Sequence, residues 1–558
     1  MTGSGAARVG GPGIVEQLAG WVLAVRTEDL TPAVRDQAKL LLLDTIGCGF
    51  AALDEPSACA LLAVVEGSGG ASQCTVIGRA HRTSAANATL ANGALVRILD
   101  FNDYVNARAG DLGGHPSDNI PVALAAGELR GASGREVVAA IVLGYEVFAR
   151  CKDLMERDSA WDGVTVSGLV APAMAGRLMG LDRRRLAHAI ALSGARAATS
   201  TAVRFGDISA AKSIANALVA QNGVQATLLA EHGITGPLDL FENPRGMREV
   251  FSKGDAAAEL TAPLPAESAI MAANVKAFPC LATGQSVAAA GIEMHHRLRG
   301  AVERLKAFRL IIPDTPGLRR QKDDPGRIKP LSREAADHSF NFLAAVSLLD
   351  GEFGLAQFDG ERWNDPMVCA LMAQLEIVND SAWNARAPDS YPCSLQVTTQ
   401  DGRDELVEVP YPPGFSRGRL DAGTVMKKFN TLTSPWLAQG ARDRIIERVM
   451  ALDESPSCIE LMAAVGKPSS RVPGELSEAE RDTDIGPARD RRLRMRKSGK
   501  PDSRGPSGRV AKRNSPVIPK AVASPLAPGS CSRARVNEEI HIRALTQPGH
   551  DSVVRRYM

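Results

Sequence analysis

Polar residues able to cap a helix recur just ahead of apolar stretches with helical spacing through the first half of the chain. Thr31-Pro32 pairs a capping hydroxyl with a first-turn proline and introduces a helix over residues 33–53. Ser133 and Glu136 form a capping box before residues 137–151, and Asp182 opens residues 183–197. Strand patterning concentrates later, in residues 304–312 and in the hairpin-like stretch 394–409, where Asp401-Gly402 supplies the turn. Between them, residues 337–349 and 366–375 have helical spacing, and helix returns at 422–428 and 441–452.

This order predicts a mainly α protein with an α+β insertion. A helical domain begins at 12–267, a mixed α/β domain occupies 268–408, the helical domain resumes over 409–462, and 463–558 form a disordered basic tail. A smaller domain inserted into a larger one leaves a cleft, where small ligands bind. At 558 residues the chain exceeds one compact core. Apolar residues make up 44% and aromatics 4%, and abundant Ala and Gly suit closely packed helices.

The formal charge of +2 conceals an asymmetry. Residues 467–558 hold 20 Lys and Arg against 10 Asp and Glu, leaving 45 against 53 upstream. The tail is rich in Pro, Ser, Gly and Arg and has no apolar period, which predicts disorder. It has no aromatic beyond Tyr557 and no zinc or helix-turn-helix pattern, so nucleic acid is not the expected partner. The longest apolar run, residues 137–149, is too short for a bilayer and carries Glu146; no secretory signal opens the chain. No membrane association and a cytoplasmic location are therefore expected. Cysteines at 48, 59, 74, 151, 280, 369, 393, 458 and 531 are scattered without a C-x-x-C pair, as reduced and mostly buried thiols would be. That spacing does not suit an iron–sulfur cluster. Phosphate-binding glycine loops and a Gly-x-Ser-x-Gly elbow are missing too.

Leu99-Asp100-Phe101-Asn102-Asp103 followed by Gly114-His115-Pro116-Ser117-Asp118-Asn119 resembles the signature of the MmgE/PrpD family. So do Leu43-Asp44-Thr45-Ile46-Gly47-Cys48-Gly49, Gly144-Tyr145-Glu146, Ala160-Trp161-Asp162, Ala211-Lys212-Ser213, Lys276-Ala277-Phe278-Pro279, Ala336-Asp337-His338-Ser339 and Lys427-Lys428-Phe429, in order across residues 12–460. The resemblance implies a large all-helical domain with a smaller α/β lid, a homodimer, and a cofactor-independent lyase acting on a small polycarboxylate. Members include 2-methylcitrate dehydratase and cis-aconitate decarboxylase.

Eliminating water from a hydroxy-tricarboxylate needs a base for a carbon-bound proton, an acid for the leaving hydroxyl, and cations for the carboxylates. His115, in a proline-stiffened loop, is the first choice for acid/base work. Asp100 and Asp103, three apart, share a face if the helix starting near Thr89 continues through them, and would orient His115 or bind the substrate hydroxyl. Asp162 is the fourth catalytic candidate. Lys212, at the position of a family lysine in the substrate pocket, precedes an apolar run and so sits near a helix start that favours a bound carboxylate. Lys276 opens the lid segment, and Arg204 lies in the loop before Lys212; these three are the substrate-binding candidates. Two Asp and one His in one loop are a weak metal set, and no metal or other cofactor is expected. His338 reads as a structural residue heading an apolar helix, and His295-His296 diverge on their helix.

The chain departs from the family pattern in its pocket. Tyr104 stands where the aspartate motif commonly ends in Thr, the loop from Tyr104 to Gly114 is longer, and Cys280-Leu281-Ala282-Thr283 follows Phe278-Pro279 where relatives carry a histidine. Decarboxylase relatives have a histidine where Asp162 stands. Dehydration of a 2-methylcitrate-like acid, in propionate catabolism, is the leading expectation. Decarboxylation or epimerisation of a related acid is the alternative, and a catalytically degenerate binding protein is the alternative from another class.

Overall fold

Thr31 caps the central helix as its sequence predicts. Its Oγ1 accepts from the Val34 amide at 3.3 Å, Pro32 fills the first turn, and the helix runs Pro32–Ala51. Residues 37–50 are all buried, so other elements enclose this helix on every side. The computed structural model describes residues 11–107, 110–156, 160–386, 390–416 and 418–466. The tail predicted from 463 begins too early, because helix Ile459–Val465 runs through that boundary; its remainder, from 467 onward, lies outside the described residues.

Small residues set how closely the helices approach. A Cβ on Gly93 would lie 3.0 Å from the Ala217 Cβ, so Ala85–Arg97 crosses Ala210–Glu231 almost backbone to backbone. One on Gly223 would lie 2.5 Å from the Ala171 Cβ, which brings Ser167–Leu178 against the same helix. Gly47 does likewise for the returning helix Ala422–Thr433, with Phe429 Cα 3.4 Å from that position. The Gly93 crossing thus brings the end of helix Ala85–Arg97 beside the start of Ala210–Glu231, so that Arg97 and Lys212 both reach Asp100.

Buried apolar side chains form two clusters, one from residues 15–275 and 420–465, the other from residues 280–407. The second surrounds a four-stranded mixed sheet in the order Leu375–Asp380, Leu305–Pro313, Cys393–Thr399, Asp404–Val409. Leu310 faces Ile377 across the parallel pair and Leu395 across the antiparallel one. Gly402, at φ 82°, makes the hairpin turn expected of Asp401-Gly402. Helices Gln285–Leu298 and Phe340–Asp350 pack together in this part, and a Cβ on Gly291 would lie 1.9 Å from Ser347 Oγ.

The chain is therefore mainly helical with a small mixed sheet. Three strand features depart from expectation. Leu375–Asp380 follows directly on helix Pro366–Gln374, and short pairs form at Cys74–Thr75 with Arg82–Thr83 and at Val105–Ala107 with Gly110–Gly114. Among the described residues no single helix is long and apolar enough to cross a membrane. Among the described residues every cysteine is free, and six are buried.

Replacing Gly93 by Val should force apart the helix pair that carries Arg97 and Lys212. Overpacking of this kind costs about 1–3 kcal/mol, to be read as a lowered urea midpoint. An unchanged midpoint would mean that the crossing is looser than the geometry requires.

Candidate active site

Helix Ala85–Arg97 stops short of the aspartate motif. Ile98 is its C-cap, and Asp100 adopts φ 49°, in the left-handed region that Asp tolerates better than most residues. Asp100 and Asp103 therefore do not share a helical face, contrary to the sequence expectation. The physical reason lies just beyond: Tyr104 pairs with Asn274, its amide donating to the Asn274 carbonyl at 2.9 Å and its carbonyl accepting from the Asn274 amide at 2.8 Å. This bridge holds the chain beyond the helix in extended rather than helical geometry.

Three cations converge on that carboxylate. Arg97 reaches forward to Oδ1, Lys212 donates to Oδ2 at 2.8 Å, and Lys276 donates both to Oδ1 and, at 2.8 Å, to the Asp100 carbonyl. Asp100, Lys212 and Lys276 are all fully buried. Burial favours the neutral acid, but Arg97, Lys212 and Lys276 together hold Asp100 well below the usual carboxylate range. Lys428 repeats the pattern nearby, pairing with Asp44 at 2.8 Å and donating to the Phe101 carbonyl at 2.7 Å.

His115 precedes the 3-10 turn Pro116–Asn119. Its Nδ1 lies 2.7 Å from the Asp103 carbonyl. A carbonyl only accepts, so Nδ1 carries the proton and a neutral ring leaves Nε2 with its lone pair free. Nε2 stands 4.0 Å from Asp100 Oδ1. Burial first, then the charges of Arg97 and Lys276, push the His115 pKa well below its ordinary value, keeping the ring neutral. Gly114 is needed alongside, since a Cβ there would lie 2.6 Å from the Phe148 ring.

Around His115 the motif residues bond to one another. Asn102 Nδ2 donates to Ser117 Oγ at 2.7 Å and to Asp118 Oδ1 at 2.8 Å; Asn119 Nδ2 donates to Ser167 Oγ at 3.0 Å, and Ser167 to Asn216 Oδ1 at 2.6 Å. Tyr145 donates to Asp103 Oδ2 at 2.8 Å. Burial raises Asp118 to about 6 despite Arg97.

His338 corrects the sequence reading. It does precede helix Phe340–Asp350, but Ser339 caps that helix, and His338 instead contacts Asp337 through Nδ1 and approaches Asp100 Oδ2 to 3.5 Å through Nε2. Asp100, Asp337 and His338 bring ligand-type atoms within 4.8 Å of one another. A dication does not fit there, because the Asp100 oxygens are already taken by two ammonium groups and a guanidinium.

A cavity of about 680 Å³ opens on this cluster. His115, Asp162 and Arg204 line it, whereas Asp100, Asp103, Lys212 and Lys276 lie buried beneath its wall. Asp162 caps the 3-10 turn Gly163–Val166 and is paired with Arg204, which lowers its pKa against the effect of burial. The lining also includes His338, Tyr104, Tyr391, Lys152, Arg320 and Arg327. The last three carry no motif in the sequence, and each lies among other charged residues that do not set it apart.

The chain matches the MmgE/PrpD N-terminal domain over residues 16–260 and the MmgE/PrpD C-terminal domain over residues 278–454. It is 24% identical to a cis-aconitate decarboxylase-like protein of Aspergillus oryzae, covering 81% of this chain and 97% of that one. It is 28% identical to the 2-methylcitrate dehydratase of Cupriavidus necator, covering 71% and 85%. With the cis-aconitate decarboxylase of Mus musculus the identity is 25%, over 82% and 94%. The two domain matches together cover more than half of the chain, and the chain belongs to the MmgE/PrpD family.

Proposed function

We propose that the protein is a lyase that removes a proton from carbon next to a carboxylate of a small polycarboxylate, with dehydration of a 2-methylcitrate-like acid as the reaction. The observation that carries this reading is the state of His115: Nδ1 fixed by a backbone carbonyl, Nε2 unprotonated, and the ring at the cavity wall. A neutral imidazole so oriented is a general base.

The remaining groups supply what the base cannot. Removing the proton places negative charge on the adjacent carboxylate as it becomes enolate-like, and Arg97, Lys212 and Lys276 lie just beneath the wall to stabilise it. Asp100, held ionised by these three, acts as their anchor rather than as a proton carrier. Tyr104 lines the cavity and burial keeps its phenol protonated, so it is placed as donor to the departing hydroxyl. Decarboxylation is the second reading, favoured by the names of the Aspergillus oryzae and Mus musculus relatives.

Proton NMR in D₂O with 2-methylcitrate, citrate and cis-aconitate separates these. Alkene formation supports dehydration, and CO₂ loss with deuterium incorporation supports the decarboxylase. His115→Ala should lower kcat by roughly 10²–10⁴-fold, the usual worth of a positioned base; turnover near wild type would remove His115 from the mechanism. No change in any acid would favour a binding protein instead.

The buried carboxylates give the fold a pH dependence of definite sign. Burial, with Asp44 and Asp118 as like charges, raises Asp103 to about 7 although Tyr145 donates to it. Its folded pKa exceeds the unfolded value of about 3.9. The stabilising contribution is therefore full below that value and is lost as pH rises through about 7. Asp103→Asn should remove a decline of about 1.4 kcal/mol per pH unit across this window. Denaturant melts of both proteins from pH 4.5 to 8 read the difference, and parallel curves would reject it.

A further inference from the structure

The two lysines that the sequence offers for substrate carboxylates act from beneath the cavity wall and do not contact the cavity itself. Lys212 and Lys276 have no exposed side-chain surface, both donate to Asp100, and neither lines the cavity. The cations that do face it come from other elements. Lys152 lies in the last turn of helix Gly134–Leu154, Arg204 in the turn Thr201–Arg204, Arg320 in Pro316–Asp323, and Arg327 in Pro325–Ile328.

Among the described residues their counter-charges are shared: Asp324 serves both Arg320 and Arg327, and Asp162 serves both Arg204 and Lys152. Arg204 is paired with Asp162. Arg320 donates instead to a carbonyl, that of Arg204, at 2.7 Å, and its guanidinium lies 3.8 Å from the Phe205 ring centre. Arg327 donates to the His338 carbonyl at 2.8 Å; its Nε is buried without a hydrogen-bond partner among the described residues, with Asp324 Oδ2 at 3.9 Å. Lys152 is 5% exposed, and its Nζ would be 2.5 Å from a Cβ on Gly163, so this glycine leaves the room that the ammonium fills. The acidic side chains lining the cavity are Asp118, Glu156 and Asp162. Asp118 faces Arg97, and Glu156 accepts from Ser252 at 3.3 Å.

Like charges gathered in a partly desolvated wall are costly unless an anion completes them. We propose that Lys152, Arg320 and Arg327 form an anion subsite for a substrate carboxylate remote from the carbon that loses its proton, so that the cavity selects tricarboxylates over dicarboxylates. This inference rests on the polycarboxylate reading above. Burial brings Lys152 down to about 8 although Asp162 opposes it, and burial with Arg320 nearby brings Arg327 down to about 10 against the opposing charges of Asp324 and Asp337.

The test is calorimetric binding of tricarballylate, which has no hydroxyl to lose, and of glutarate, which lacks the third carboxylate, to the full chain. Wild type should prefer tricarballylate, and Lys152→Gln and Arg320→Gln should each weaken it by at least about tenfold while leaving glutarate unchanged. Gly163→Ala, which displaces the Lys152 ammonium without changing charge, should act in the same direction. Melting temperatures and circular dichroism establish that each variant is folded, and Arg320, only half-buried, is the variant least exposed to misfolding. Equal affinity of folded Lys152→Gln and Arg320→Gln for tricarballylate, or no preference in wild type, overturns the subsite. If turnover by His115 persists in that case, the lyase reading stands alone. If tricarballylate binds and the variants lose it while no acid is turned over, the subsite stands and the lyase reading falls.

Discussion

Asp100 is a carboxylate without solvent, and the arrangement of the site follows from how it is compensated. Arg97, Lys212 and Lys276 come from the end of one helix, the start of another and the segment joining the two buried clusters, and all three reach the same two oxygens. Removing any one would leave charge buried without its partner, which is far more costly than losing a surface pair. Asp100 also sits at φ 49°, a backbone state that persists where surrounding contacts over-determine it. Asp337 and His338 complete the ring from the second cluster, so a single carboxylate links both cores at the floor of the cavity. The small-residue crossings at Gly93 and Gly223 matter to function for this reason: they set the separation at which these charges meet.

Local patterning made much of the helical framework legible. Thr31, Ser133 and Asp182 each accept the amide their spacing predicts, because a cap depends only on residues within one turn. Asp401-Gly402 likewise defined its hairpin. The end of helix Ala85–Arg97 was not legible, since it is imposed by the pairing of Tyr104 with Asn274, 170 residues away in sequence. Leu375–Asp380 was missed because a six-residue stretch, half of it polar and directly after a helix, has neither a sustained alternation nor a break to mark it.

The site divides in the same way. His115, Asp100, Lys212 and Lys276 came together as their motifs implied, but their burial did not follow from sequence, and it changes what each can do. His338 was read as heading a helix, whereas Ser339 takes that part and frees the imidazole to face Asp100. Lys152, Arg320 and Arg327 belong to no motif; their common wall exists only once three separate elements are packed.

The charges around His115 impose a trade on the proposed chemistry. Arg97 and Lys276 depress its basicity, which by itself would slow proton abstraction. The same two charges, with Lys212, also lower the energy of the enolate-like carboxylate that abstraction creates, so base and carbon acid are shifted together. A more exposed imidazole would be a stronger base but would be partly protonated near neutral pH, and a protonated ring has no lone pair to offer. Burial beside cations that are themselves fixed by Asp100 therefore keeps the base unprotonated while placing stabilisation where the reaction develops charge. Asp100 governs both effects without contacting the cavity, because it holds in place the cations that tune His115 and stabilise the product of its action.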